Sequence, residues 1–143
     1  MSQASKGIPV GPPRFKIAVH ALVGLAKSNG ILSSAMIASQ VDTHATFMRR
    51  VMQTLTSAGI VESKGGREGG YILKKPAHLI SLADVYMAVH ESQEPEFDMD
   101  CGAAGEQLDL ELEKILYEAE QKTIEYLKQF SILDLKNKIA HLL

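Results

Sequence analysis

Apolar residues recur at helical spacing along most of this chain, and the pattern gives way to a glycine-rich strand pair only near its middle. Over residues 15–26, Phe15, Val19, Leu22, Val23 and Leu25 form a wide apolar face, as a buried first helix requires. His20 on that helix reads as a satisfied core residue. Ser28-Asn29-Gly30 supplies the turn that ends it. Ser33 or Ser34 can cap a second helix with Met36, Ile37 and Val41 facing inward. A third is expected from near Thr43 to Gly59, which suits a left-handed stop. Phe47, Val51, Leu55 and Ala58 should be its buried face, widened by Met48 and Met52, while Thr46, Arg49, Arg50 and Gln53 point the other way.

Residues 60–63 and 71–73 flank the glycine-rich run 64–70 and read as a hairpin, whose tip can adopt positive φ. A dinucleotide-binding loop needs a helix after its glycines. Here a strand follows, so that reading is excluded. Ser81 and Asp84 have capping-box spacing and open a helix through His90. Residues 91–105 are acidic, contain glycine and read as a loop. Residues 106–130 hold no Pro or Gly, and Leu108, Leu112, Ile115, Leu116, Ala119, Thr123, Leu127 and Phe130 make one stripe. Ser131 and Asp134 repeat the capping signal before a short last helix.

Helix, turn, helix and hairpin in that order define a winged helix-turn-helix, which offers one helix to the major groove and a basic wing to the backbone. The expected fold is mainly α with a small β-hairpin wing and a long C-terminal dimerisation helix. Its expected divisions are a flexible extension (1–13), the winged DNA-binding domain (14–90), an acidic loop (91–105), and the dimerisation helix with the C-terminal helix (106–143). The long helix exceeds what a small core needs, so its stripe is expected to pack on a second subunit.

The 143 residues suit one domain, and at 45% apolar they can fill a core. The net charge of −2 conceals a division. Residues 1–80 carry ten Lys or Arg against three acids, a net of +7, and residues 81–143 carry five against fourteen, a net of −9. A basic half suits a polyanion and an acidic half is repelled by it. No apolar run is long enough to span a bilayer, and the N-terminus lacks the apolar centre of a secretory signal. A single cysteine fits a reducing cytoplasm.

Arg49 and Arg50 are the leading contacts to DNA, since either can donate two hydrogen bonds to guanine or neutralise a phosphate. Thr43, His44, Thr46 and Gln53 suit phosphate or base-edge contacts, or only cap and solvate the helix. Lys64, Gly65 and Arg67 at the wing suit the phosphate backbone. Tyr71 reads as packing at the wing base. Cys101 is a candidate redox sensor, although Asp98 and Asp100 beside it disfavour a thiolate. The five histidines and the cysteine show no metal-ligand spacing, and no nucleophile–base pair or phosphate loop stands out, so neither a metal site nor an enzyme is expected.

Five segments carry a family likeness: RFKIAVHALVGLA (14–26), ATFMRRVMQTLTSAGIVESKGGREGGYIL (45–73), ISLADVYMAVHE (80–91), DMDCGAAG (98–105) and SILDL (131–135). Together they resemble the Rrf-type family of bacterial winged helix-turn-helix regulators. That resemblance implies a dimeric repressor paired through the long helix of residues 106–130. Some members hold an iron–sulfur cluster, mainly through three cysteines in the loop before that helix. Only Cys101 stands there in this chain, too few thiolates for a cluster, so no cofactor is expected. The chain looks more like the branch with paired arginines in the recognition helix and one cysteine in the loop.

The resulting expectation is a homodimeric regulator of double-stranded DNA that represses from a palindromic operator, with a protein or small-molecule effector as a further partner class and no membrane. Two alternatives are a winged-helix module for protein–protein interaction, and a thiol or small-ligand sensor acting through Cys101 with DNA binding as its output.

Overall fold

The structure is a computed structural model that describes residues 13–28, 30–41, 43–67, 69–91 and 102–140. Helix α1 (Pro13–Ser28) buries Ala18, Ala21, Leu22, Val23, Leu25 and Ala26, and its alanines let neighbouring helices come close. His20 is exposed instead of lying in the core, because it stands one position off that inner face. Helix α2 (Ser34–Val41) is capped by Ser33, whose Oγ accepts the Met36 N–H at 3.1 Å. Met36 is 51% exposed, contrary to its expected inward position. Ile37 and Ala38 already fill the inner side of this two-turn helix.

Helix α3 (Ala45–Ser57) buries Met48, Val51, Met52 and Leu55 completely. The two methionines are therefore central to its inner face, and Phe47 is only half-buried at its edge. Ala58 is exposed, because the helix ends at Ser57 and the chain swings away through Gly59 at φ 78°. Any other residue at Gly59 would be strained in that left-handed conformation.

Strand β1 (Val61–Lys64) pairs antiparallel with β2 (Gly70–Leu73), with Val61 opposite Leu73 and Lys64 opposite Gly70. Leu32 extends this pair: the Tyr71 N–H donates to the Leu32 carbonyl at 2.8 Å, and the Leu32 N–H donates back at 3.1 Å. Gly70 permits the approach, since a Cβ there would collide with the Leu32 carbonyl. Tyr71 and Leu73 pack half-buried against the core, as expected of a wing base.

A helical turn at Ala77–Leu79 precedes α4 (Leu82–Glu91). Its capping box is present: Asp84 Oδ2 accepts the Ser81 N–H at 3.1 Å, and Ser81 Oγ accepts the Asp84 N–H at 3.0 Å. Helix α5 (Gly102–Leu127) begins inside the expected loop, so residues 102–105 are helical. The two alanines there favour a helix, against flanking glycines that cost about 1 kcal/mol each. Helix α6 (Ile132–Ile139) carries the second capping box, at 2.9 and 3.1 Å.

The two boxes lie side by side. The Leu82 N–H donates to the Phe130 carbonyl and the Ile132 N–H to the Ile80 carbonyl, both at 2.9 Å, while Ile80 and Ile132 are fully buried. Helix α6 then packs on α1, with Leu135 and Ile139 against the core. The last helix, grouped by sequence with the dimerisation element, thus belongs physically to the winged domain.

Helix α5 returns antiparallel along α4. His90 Nε2 lies 2.8 Å from Glu120 Oε2, and the His90 ring stacks on Tyr86 at 5.6 Å, with Phe15 edge-on to Tyr86 at 5.7 Å. Residues 106–119 are all exposed. At 1.5 Å per residue, the part of α5 before Glu120 reaches about 27 Å past the end of α4.

Candidate nucleic-acid interface

The periodicity of α3 sorts its side chains into two opposed sets. Met48, Val51, Met52 and Leu55 lie inward at 0% exposure, and Thr46, Arg49, Arg50, Gln53 and Ser57 lie outward and exposed. Arg49 and Arg50 have no carboxylate at ion-pair distance among the described residues. Their charges are thus directed to solvent. The first turn of α3 contains no acid, and His44 before it is exposed and provides no side-chain cap. Thr43 is half-buried, and its N–H donates to the Ala38 carbonyl at 3.0 Å, closing the turn between α2 and α3. Its amide is thus occupied within the turn.

Through Gly59 the chain passes from α3 into the wing, and the Ile60 N–H donates to the Leu55 carbonyl at 3.0 Å. Lys64, Gly65 and Arg67 are exposed, and Gly66 turns the tip at φ 96°. Lys64 Nζ lies 3.6 Å from Glu62 Oε2, a partner the sequence reading missed although residues two apart on a strand share a face. Such an exposed pair contributes little. Arg67 has no ion-pair partner among the described residues. Arg49 and Arg50 share one helix face with Thr46 and Gln53, while Lys64 and Arg67 occupy a separate hairpin.

Three further cations escaped the sequence reading. Lys74, Lys75 and Lys136 border a cavity of about 570 Å³ at the wing root, formed by α1, the end of β2 and α6. The Lys74-Lys75 pair directly after β2 was the available signal; Lys136 joins it only through folding.

The α5 stripe is also on the surface. Leu108, Leu112, Ile115 and Leu116 are among the exposed large apolar residues, Ala119 is exposed, and Leu127 is half-buried at the helix end. Tyr126 falls on the same line at 61% exposure and was missed. Leu110 and Tyr117, also exposed, lie on the opposite side. Cys101 lies outside the described residues, as do Asp98, Asp100 and Glu68. Among the described residues no helix is long and apolar enough to cross a membrane.

A helix-turn-helix followed by a two-stranded wing and carried on a helical domain defines a winged-helix regulator fold. The solved structure of T. potens IscR shares it, with a TM-score of 0.69 and 20% identity, covering 94% of this chain and 90% of that one. In sequence, residues 13–138 match the family described as Rrf2, iron-dependent transcriptional regulator. The chain therefore belongs to the Rrf2 family of transcriptional regulators, a family of regulators and not of enzymes. It is 40% identical to YwgB of Bacillus subtilis over 58 residues, which is 41% of this chain and 37% of that protein. It is 32% identical to the HTH-type transcriptional regulator IscR of Cereibacter sphaeroides over 81 residues, 54% of this chain and 52% of that protein. The chain thus spans about half or less of the length of these curated relatives.

Iron dependence in the family description calls for a donor set. Among the described residues no three His, Cys, Asp or Glu side chains converge where a metal ion could sit. The chain holds one cysteine, and an iron–sulfur cluster is held by several thiolates, so these donors do not fit one.

Proposed function

We propose that the protein binds double-stranded DNA sequence-specifically as a homodimer and represses transcription by covering a promoter. The observation that carries this reading is the opposition on α3: a fully buried apolar face behind, and in front two exposed arginines, without an ion-pair partner among the described residues, beside a threonine and a glutamine. Such a helix can enter a major groove while its back remains part of the core. Lys64, Gly65 and Arg67 of the wing take phosphates alongside it. The exposed stripe of Leu108, Leu112, Ile115, Leu116 and Ala119 supplies the contact to a second copy. A two-fold pair of recognition helices reads an imperfect palindrome whose half-sites lie about one helical turn, roughly 34 Å, apart. A protein working on chromosomal DNA in this way acts in the cytoplasm.

Selecting bound fragments from sheared genomic DNA tests this directly. The expected product is a short palindromic motif enriched at promoters. Recovery of random fragments, or of none, overturns the reading.

A further inference from the structure

A second cavity, of about 550 Å³, opens between α1, the end of α2 and α6, away from the outward face of α3. That volume falls within the range of small-molecule sites. Its walls are branched and apolar: Val19 and Val23 from α1, Val41 from α2, and Leu135 and Ile139 from α6. Lys27, His20, Gln40 and Ser28 complete the lining, and no acidic residue takes part among the described residues. Lys27 has no ion-pair partner among the described residues. Gly24 keeps the space open. It carries no side chain, and Gln40 Oε1 lies 2.8 Å from where a Cβ would stand, so the Gln40 amide folds down onto α1.

We propose that this cavity is an effector site for a small apolar carboxylate. The hydrocarbon body packs on the valines, Leu135 and Ile139, and the carboxylate meets the Lys27 ammonium, with His20 and Gln40 as further donors. A cationic ligand would find no counter-charge in this lining, and a wholly apolar one would leave Lys27 unused. Occupancy reaches the recognition helix by a short path. Val41 is the last residue of α2, and the turn after it is closed by the Thr43 N–H on the Ala38 carbonyl at 3.0 Å, just ahead of α3. A ligand that draws α2 towards α6 therefore shifts the entry to α3. This output rests on the DNA-binding reading above, whereas ligand binding itself does not.

The test uses phenylacetate and hexanoate as probes, with phenylacetamide and hexanamide as neutral controls, added to the full chain without DNA. Methyl NMR signals of Val19, Val23, Val41, Leu135 and Ile139 are expected to shift, with half-saturation at about 1 mM or below. The amides should bind at least about tenfold more weakly, because they lack the charge-assisted bond. Lys27→Gln should erase that preference, and Val41→Phe should fill the cavity and abolish the shifts while both variants keep the parent's circular dichroism. No shift at about 10 mM of either carboxylate, equal binding of acid and amide, or shifts confined to other methyls overturns the site. So do contacts from these methyls to a second protein molecule. In a second arm the probes are added to protein on its selected operator. A change in affinity supports the effector role, and methyl shifts without any change overturn it. If the chain binds no DNA at all, the shifts still decide the site, and it is the DNA reading that falls.

Discussion

Arg49 and Arg50 project from a helix whose opposite side is sealed, so their substitution removes donors without opening the core. Changing either to Ala is expected to cost about 1–3 kcal/mol on the selected operator where it pairs with a guanine, and much less on random DNA. Fluorescence anisotropy on both DNAs separates the two. Equal losses assign that arginine to phosphate. Lys64 should behave differently. Lys64→Gln is expected to weaken binding to every sequence and to lower the slope of log affinity against log salt by about one.

Tyr86 gives a pH dependence. Burial pushes its phenol above the ordinary tyrosine value, and the Glu120 carboxylate adds to the shift. The folded protein therefore favours the neutral ring more than the unfolded chain does. The stability this contributes is complete below the unfolded value of about 10 and is lost as the pH rises through the higher folded value. Tyr86→Phe keeps the ring between Phe15 and His90 and should flatten the fall in urea stability above about pH 10. A parallel fall in both proteins would show that other groups control alkaline unfolding.

At the scale of the element, the outward side chains of α3 are held by the packing behind them. Met52 is fully buried, and shortening it to Ala should destabilise the fold by about 2–5 kcal/mol in urea titrations. An unchanged midpoint would mean that the inner face is not closed as described.

The element order was legible because period, cap and breaker agreed in most places. Two Ser–Asp boxes marked the starts of α4 and α6, and the wing glycines marked the hairpin. The outward set on α3 followed from spacing alone. Some of what escaped was local, and some depended on neighbours distant in sequence. Met36 looks inward by spacing, but Ile37 and Ala38 occupy that side in three dimensions. His20 sits one position off an inner face, and Ala58 falls just past the end of α3. The lysines at the wing root and the cavity beside α6 required the chain's end to return to α1, which no local pattern encodes.

For the whole molecule, the protruding half of α5 is the decisive feature. Seven large apolar residues of this helix stay exposed, Ile115 at 64%, and five of them (Leu108, Leu112, Ile115, Leu116 and Tyr126) share one face, the kind of patch that marks an interaction surface. Leu112→Glu with Ile115→Glu should turn the proposed dimer into a monomer of unchanged helicity, seen as a halved mass in light scattering. Its operator affinity should fall by about tenfold or more, because linked half-sites act together. A double variant that keeps the parent mass would remove this face from the interface. Charge fits the same proposal, since the long arm is acidic and would be repelled from the phosphates that the wing is proposed to contact.

The clasp between Ile80 and Ile132 has a consequence for how the protein is made. The winged domain is encoded early, yet one of its central apolar plugs comes from a segment translated dozens of codons later. During synthesis, the place that Ile132 takes in this core is filled only after α6 has been made. Helix α5 is thus made before the segment that completes the core, and a chain cut short before Ile132 would lack that plug.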